Sequence, residues 1–140
     1  MASKINIRNK KAKFEYEFLE SYTAGIQLLG TEIKSIRESK ASIKEAFCVF
    51  ENGELLIRNM HIASYEQGGH YNHEPRRDRK LLLNKKEAAK WETKIKKEGL
   101  TIVPKKVFIS GKGWAKIDIA LSKGKNVHDK RQDLKDKDAK

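Results

Sequence analysis

Four histidines and one cysteine are the side chains of this 140-residue sequence that could hold a metal ion or act as a nucleophile. His70 and His73 have the spacing of a possible ligand pair, and His61 lies nearby in the sequence. No second cysteine and no further histidine pair completes a tetrahedral zinc set. Cys48 lies within an apolar segment, where burial is expected rather than catalysis, and a single cysteine excludes an intramolecular disulfide. We therefore predict no metal site.

Two other patterns could indicate an enzyme or a cofactor site. Glu32 and Lys34 are two residues apart, which places them on different faces of a helix and argues against a catalytic pair. Gly111 and Gly113 lack the third glycine and the following helix of a dinucleotide-binding loop, so they indicate a turn. Neither pattern therefore indicates a catalytic pair or a cofactor site, and we expect a protein that acts by recognition and needs no cofactor.

Positive charge is the dominant feature of the composition, with 31 Lys and Arg against 19 Asp and Glu and a net charge of +12. Residues 1–13 carry five basic side chains and no acid, residues 76–97 carry ten against three, and residues 14–75 have a net charge of −5. A single basic block can be a solvated face, but separated basic blocks that flank an acidic segment favour a nucleic-acid surface. No apolar run approaches the roughly 18 residues of a membrane span, and no signal peptide opens the chain. We expect a cytoplasmic protein with no membrane partner.

Strands are predicted along most of the chain. Residues 14–18 alternate aromatic and acidic side chains, which indicates a half-buried strand, and residues 22–25 indicate a loop. Asn52-Gly53 between the apolar segments 47–50 and 55–57 predicts a β-hairpin, because both turn positions require positive φ. Further short strands are predicted at residues 26–28, 81–83, 102–104, 107–109 and 115–121.

Two helices are predicted from capping signals. Thr31 can cap a helix that extends to about Ser39. Asn84, three residues before a glutamate, predicts the start of a helix over residues 85–98, and Gly99 predicts its end. The predicted strands and helices do not alternate regularly along the chain, so the sequence gives no indication of a parallel sheet.

The two remaining segments carry few apolar side chains. Residues 63–80 show no periodic pattern and predict a long, exposed, basic loop. Residues 126–140 contain too few apolar residues to offset the entropy of ordering them, which predicts a disordered basic tail. We therefore predict a folded domain over residues 1–125, mainly β with flanking α-helices and closed into a small oligonucleotide-binding-type β-barrel, followed by the tail.

A set of short motifs extends in order from about residue 5 to residue 138. They are Asn9-Lys10-Lys11-Ala12, Gly30-Thr31-Glu32-Ile33-Lys34-Ser35, Asn59-Met60-His61-Ile62, Asn72-His73-Glu74-Pro75, Arg79-Lys80-Leu81-Leu82-Leu83, Gly99-Leu100-Thr101-Ile102-Val103-Pro104, Gly113-Trp114-Ala115-Lys116, Gly124-Lys125 and His128-Asp129-Lys130-Arg131. Together these motifs resemble the bacterial SmpB family of tmRNA-binding proteins. The resemblance covers nearly the whole chain.

The resemblance implies a fold, a function and partners. The implied fold is an oligonucleotide-binding-type barrel with flanking helices, and the implied ligand is the tRNA-like domain of tmRNA (ssrA RNA). The resemblance implies delivery of alanyl-tmRNA, with elongation factor Tu and GTP, to stalled ribosomes for trans-translation, ribosome rescue and tagging of the nascent peptide. It also implies that the protein itself is not an enzyme. The tail would become helical in the empty mRNA channel at the decoding centre of the small subunit. We expect a monomer without a DNA partner, whose tail, ending at Lys140, is shorter than the resemblance suggests.

The basic clusters and the resemblance together nominate two groups of RNA-binding residues. The candidates for tmRNA are Asn9, Lys10, Lys11, Glu32, Lys34, Arg76, Arg79, Lys80, Leu83 and Asn84. The candidates for the ribosome are Lys123, Lys125, His128, Lys130, Arg131 and Lys135. Glu32 could accept a hydrogen bond from a base, orient Lys34, or stabilise the helix N-terminus, and the sequence leaves these three roles open.

Two other functions would also explain the basic blocks. An RNA-processing enzyme could use His61 or His73 as a general base, and it would degrade RNA on prolonged incubation. A structural ribosomal protein would co-purify with ribosomes in stoichiometric amounts, whereas a rescue factor would be enriched on stalled complexes.

Overall fold

The computed structural model describes residues 5–124. Within these residues antiparallel strands are the main secondary structure, and three α-helices lie beside them. The strands are β1 (Asn6–Arg8), β2 (Tyr16–Ile26), β3 (Ala41–Ser42), β4 (Phe47–Glu51), β5 (Glu54–Arg58), β6 (His61–Ile62), β7 (Arg79–Leu82), β8 (Thr101–Ile109) and β9 (Ala115–Gly124). The helices are α1 (Ala12–Glu15), α2 (Gly30–Arg37) and α3 (Lys85–Glu98), with a 3-10 helix over Glu66–Tyr71. The predicted mainly β fold with flanking helices is confirmed.

Strand pairing closes the main sheet into a ring. Within residues 5–124, β8, β4, β5, β7, β2 and β9 are paired in that order, and β9 pairs again with β8. A single pair, Cys48 opposite Ile102, joins β4 to β8. β1 pairs with β8, while β3 and β6 form a separate two-stranded sheet. Closure leaves few unpaired strand edges, which is the physical reason that a short, strand-rich chain adopts a barrel.

Apolar side chains from the strands and from α2 and α3 fill the core. Ile57, Ile102 and Ile117 are among the side chains with no exposed surface. Trp91 packs α3 against the barrel. Its side chain is fully buried, and its ring stacks on that of Tyr22 with 4.5 Å between the ring centroids. No helix within the described part of the chain is both long and apolar enough to cross a membrane.

The hairpin and α3 match their predictions. Asn52 and Gly53 have φ of 53° and 79°, as the turn between β4 and β5 requires. Asn84 Oδ1 accepts a hydrogen bond from Lys86 N at 2.8 Å, and α3 ends at Gly99 with φ of 65°. These signals are local in the sequence, which is why they could be identified without the fold.

Two predictions about the β2 region are wrong. The predicted strand over residues 14–18 begins instead at Tyr16, because Ala12–Glu15 forms α1. The predicted loop at residues 22–25 is part of β2, since residues 20–25 pair without interruption with residues 116–121 of β9. Long-range pairing overrides the local turn preference of this segment.

Candidate nucleic-acid interface

The N-terminus of α2 is held by a glutamate. Leu29 is the residue before the helix, and its backbone N–H donates to Glu32 Oε1 at 2.7 Å. The predicted cap, Thr31, lies inside the helix, and its hydroxyl is 2.8 Å from His73 Nδ1. Thr31 therefore contacts the loop before β7, and the prediction that it caps the helix is wrong.

Glu32 is the centre of a buried ionic cluster. Glu32 Oε1 accepts from Arg77 NH2 at 2.7 Å, and Glu32 Oε2 accepts from Arg79 Nε at 2.6 Å. The side chains of Glu32 and Arg79 have 0% exposed surface, whereas that of Arg77 is 35% exposed. Arg79 also donates to the backbone carbonyls of Met60 at 2.7 Å and Pro75 at 3.1 Å. The cluster thus joins α2 to β7 and to the backbone of the segments that precede β6 and β7.

Electrostatics keep the cluster ionised. Burial alone would raise the pKa of Glu32, but hydrogen bonds from Arg77, from the Leu29 backbone and from Arg79 outweigh it and lower the pKa. Burial lowers the pKa of Arg79, and Glu32 opposes that effect. One carboxylate between two guanidinium groups leaves one positive charge in excess. Arg77 is the member of the cluster whose charged group is partly exposed at the surface.

Glu32 and Arg79, both predicted to contact tmRNA, are buried. Neither presents its charged group to solvent in this structure. Glu32 orients Arg77 and Arg79 rather than Lys34, which is exposed with its ammonium 5.5 Å from the centre of the Tyr65 ring. Sequence reasoning omitted Arg77 from the site, although it lies in the basic cluster at residues 76–80.

The predicted exposed loop over residues 63–80 is instead an ordered segment. The 3-10 helix lies within it, and β7 begins at Arg79. Asn72 Oδ1 accepts from Tyr65 N at 3.0 Å and from His73 N at 3.2 Å. His73 is 5% exposed, and its Nε2 is 2.9 Å from the carbonyl oxygen of Ile62. Local sequence periodicity could not reveal this order, since it depends on hydrogen bonds and on ionic contacts to a distant helix.

An open groove with apolar walls lies beside the N-terminus of α2. Its volume is about 580 Å³, and its lining includes Leu29, Gly30, Leu82, Trp114 and Lys116. Trp114 is 67% exposed, Leu82 is 52% exposed and Leu29 is 49% exposed. We call the groove, together with Lys34 and Arg37 of α2 and with Arg77, which is bonded to Glu32 of α2, the α2 surface. Sequence reasoning did not include Trp114 among the candidates, although the exposed aromatic residue lies in one of the motifs.

The turn between β8 and β9 holds Trp114 in this position. Ser110 N donates to Trp114 O at 2.8 Å, and Gly113 N donates to Ser110 O at 2.9 Å. Gly113 has φ of 86°, a conformation that L side chains rarely adopt. The guanidinium of Arg37 lies beside Gly113, so α2 also approaches the turn. A cation and an exposed indole ring next to each other can contact a phosphate and a base.

The remaining candidates near β7 have varied environments. Arg76 is exposed, and Lys80 Nζ is 3.3 Å from Glu54 Oε1 at the surface. Leu83 is half-buried against the core, and Asn84 is exposed while its side chain caps α3. Of these four, Arg76 and Asn84 have the most accessible side chains.

The structure separates Asn9, Lys10 and Lys11 from Glu32. Asn9 Nδ2 donates to Pro104 O at 3.2 Å, and its backbone N–H donates to Lys105 O at 2.9 Å. Lys10 and Lys11 are exposed just before α1. These three residues precede the start of β2, whereas Glu32 follows its end.

The candidates for the ribosome fall largely beyond the described residues. Lys123 is exposed near the end of β9, opposite Glu17 of β2. The others, Lys125, His128, Lys130, Arg131 and Lys135, lie outside residues 5–124, as do residues 126–140 as a whole.

Cys48 and His73 have structural environments. Cys48 is buried in β4, and burial raises the pKa of its thiol strongly, so that the reactive thiolate is disfavoured. His73 is bonded on both ring nitrogens, as described above. Within residues 5–124, no three side chains among His, Cys, Asp and Glu are grouped as metal ligands would be.

Comparison with known proteins identifies the family of the chain. The model of the family described as SmpB protein matches residues 6–140. An SsrA-binding protein of Christiangramia forsetii is 54% identical over 140 residues, which is 100% of this chain and 89% of that protein. An SsrA-binding protein of Cytophaga hutchinsonii is 58% identical over 134 residues, covering 96% of this chain and 88% of that protein.

A solved structure agrees with these relatives. One chain of the structure described as "tmRNA-SmpB: a journey to the center of the bacterial ribosome" superposes with a TM-score of 0.73 at 41% identity. The match covers 93% of this chain and 94% of that chain. The fold, the relatives and the family model agree over nearly the full length, and the chain therefore belongs to the SmpB family.

Proposed function

We propose that this protein binds the tRNA-like domain of tmRNA and delivers alanyl-tmRNA to stalled ribosomes in trans-translation. The observation that carries the proposal is the 54% and 58% identity, over nearly the whole chain, to proteins named for binding SsrA RNA. The net charge of +12 supports a polyanionic ligand. The protein acts as a binding and positioning factor and not as an enzyme.

The α2 surface is the proposed contact for the tRNA-like domain. Lys34, Arg37 and Arg77 supply positive charge for phosphates, and Trp114 supplies a ring on which an unpaired base can stack. The buried Glu32 and Arg79 contribute indirectly, because they hold Arg77 and the start of α2 in position. Arg76, Lys80, Leu83 and Asn84 extend the same contact along β7 and the start of α3.

The segments of the chain have different proposed partners. Residues 1–125, the barrel domain, bind tmRNA together with elongation factor Tu and GTP in the delivery complex. Residues 126–140 sense an empty mRNA channel, with His128, Lys130 and Arg131 at the decoding centre of the small subunit. Lys123, Lys125 and Lys135 add positive charge next to ribosomal RNA. We further propose that the protein acts as a monomer in the cytoplasm.

Titration with the isolated tRNA-like domain tests the proposal. The protein should prefer this RNA to an elongator tRNA, and log K should fall by about 0.7–0.9 per phosphate contact for each log unit of salt. Replacing Lys34 with Ala should weaken binding, whereas replacing Lys96, an exposed lysine of α3, should have little effect. Equal affinity for both RNAs would refute the proposal.

Two measurements address the alternative functions. An RNA-processing enzyme would shorten the RNA during prolonged incubation, whereas the proposed function leaves the RNA intact. A structural ribosomal protein would be present on translating and stalled ribosomes alike, whereas the proposed function predicts enrichment on ribosomes stalled without downstream mRNA.

A further inference from the structure

A second groove lies at the other end of β2, near β1. Its volume is about 470 Å³. Its lining consists of Arg8, Asn9, Lys10, Lys13, Phe14, Phe18, Lys105, Lys106 and Asp118. Five cations and one carboxylate thus line the second groove, which we call the β1 groove, within the described part of the chain.

Cations and aromatic rings alternate in and beside the β1 groove. The ammonium of Lys105 is 5.5 Å from the centre of the Phe18 ring and donates to Ser21 Oγ at 3.1 Å. The ammonium of Lys106 is 5.5 Å from the centre of the Phe108 ring and 3.7 Å from Asp118 Oδ2. Such interleaving is typical of surfaces that bind unpaired RNA, because rings stack on bases while ammonium groups contact phosphates.

The β1 groove and the groove of the α2 surface lie next to each other on β9. Lys116 lines the groove of the α2 surface and Asp118 lines the β1 groove. Residues two apart on a strand point to the same face and are about 7 Å apart, so the two grooves adjoin on the outer face of β9. Lys116 is paired with Phe108, and Asp118 is paired with Lys106, so the surface formed by these side chains extends from β9 onto β8.

The length of the combined surface suits a short strand of RNA. The accessible part of β9 extends from Lys116, next to the exposed Trp114, to Asp118, because Ala120 and Ser122 further along the strand are fully buried. Trp114 to Asp118 spans about 13 Å, and beyond Asp118 the β1 groove continues through Lys105 and Phe18. Barrels of this size bind about 4–16 nucleotides. A base-paired helix would keep its bases away from the rings, whereas an unpaired strand could stack on them.

We propose that an unpaired RNA strand lies along the outer face of β8 and β9, from Trp114 to the Phe18–Lys105 pair. Lys116, Lys106 and Lys105 contact its phosphates. The proposal extends the proposed tmRNA contact from the α2 surface into the β1 groove. It rests on the proposed function only for the identity of the natural RNA, because the groove chemistry would bind any unpaired strand of this length.

Binding of a fluorescein-labelled oligouridine of about ten nucleotides tests the proposal. The test variant is Lys105→Gln/Lys106→Gln, and the matched control is Lys96→Gln/Lys97→Gln on α3, where both lysines are exposed. The test variant should reduce the salt slope, log K against log salt, by about 1.4, which is two contacts at about 0.7 each, and the control should not. Trp114→Ala should weaken binding roughly five- to 150-fold, the range for losing one stacked base.

Cross-linking of the unmodified protein provides a second readout that needs no variant. A thiouridine-containing oligouridine should cross-link to peptides that contain residues 105–108 and 114–116. Cross-links confined to α3, equal binding of a duplex of the same length, or equal effects of the two lysine variants would overturn the proposal.

The same experiments separate this proposal from the proposed function. Oligouridine binding along β8 and β9, without a preference for the tRNA-like domain over elongator tRNA, would support the inference and refute the function. Preference for the tRNA-like domain, with unchanged affinity in Lys105→Gln/Lys106→Gln and no cross-links at residues 105–108, would support the function and refute the inference.

Discussion

Replacing Glu32 with Gln is expected to destabilise the fold strongly. Glu32 has no exposed surface, and its carboxylate accepts hydrogen bonds from Leu29, Arg77 and Arg79 at 2.6–2.7 Å. Its removal would leave the buried Arg79 without its anion, and breaking a buried pair in this way costs about 3–5 kcal/mol. The total stability of a typical domain is only about 5–15 kcal/mol. The melting temperature should therefore fall by roughly 10–20 °C.

Urea and thermal unfolding of Glu32→Gln, measured beside two control variants, check this expectation. Arg77→Gln removes a half-exposed partner and keeps the buried pair, so it should cost only about 1 kcal/mol. Glu54→Gln removes the carboxylate of an exposed ion pair with Lys80 and should cost at most about 1 kcal/mol. A loss of less than about 1 kcal/mol in Glu32→Gln would refute the reasoning that Glu32 is essential to the buried cluster.

The pH dependence of stability gives an independent check on Glu32. Its pKa in the folded protein lies below its ordinary value, so the unfolded chain binds a proton more readily at this site. The stabilisation is therefore fully present above the ordinary glutamate pKa of about 4.3 and is lost as pH falls through the lower folded pKa. Glu32→Gln should remove this part of the acid sensitivity, and an unchanged pH profile would contradict the assignment.

Three further expectations concern separate parts of the chain. Asn84→Ala should cost about 1 kcal/mol in unfolding free energy, because α3 loses its side-chain cap, and a urea titration measures it. Cys48 should not react with a thiol reagent at mildly alkaline pH until the protein unfolds, because burial raises its pKa; rapid labelling of the folded protein would contradict this. Removing residues 126–140 should leave the affinity for the tRNA-like domain within a few-fold of that of the full chain, but it should abolish peptidyl transfer to alanyl-tmRNA on stalled ribosomes. Charge reversal at Lys130 and Arg131 should have the same two effects. Full transfer by the shortened protein would refute the proposed role of the tail.

Local signals predicted the parts of the fold that depend on neighbouring residues. The Asn52-Gly53 turn and the Asn84 cap require particular side chains at particular backbone positions, and the sequence shows both. Residues 22–25 were misjudged as a loop because their strand conformation depends on pairing with β9, about 95 residues away in the sequence. Propensity describes the isolated segment and cannot include that pairing.

The candidate site was only partly predictable for the same reason. The motif that contains Glu32 pointed to α2, but an acid in a basic protein gave no sign that it would be buried. Its partners Arg77 and Arg79 are 45 and 47 residues away in the sequence. The exposure of Trp114 likewise depends on the turn between β8 and β9 and on the approach of Arg37. Spacing in the sequence identifies which residue types are present, whereas packing decides which of them are exposed.

Sequencing of the RNA that co-purifies with the protein from its own cells tests the central claim most directly. The proposed function predicts strong and intact enrichment of tmRNA, which is reduced when Lys34 and Trp114 of the α2 surface are both replaced by Ala. The matched replacement of Lys96 should leave the enrichment unchanged. Recovery of ribosomal RNA in stoichiometric amounts without enrichment of tmRNA, or recovery of cleaved RNA, would contradict the claim.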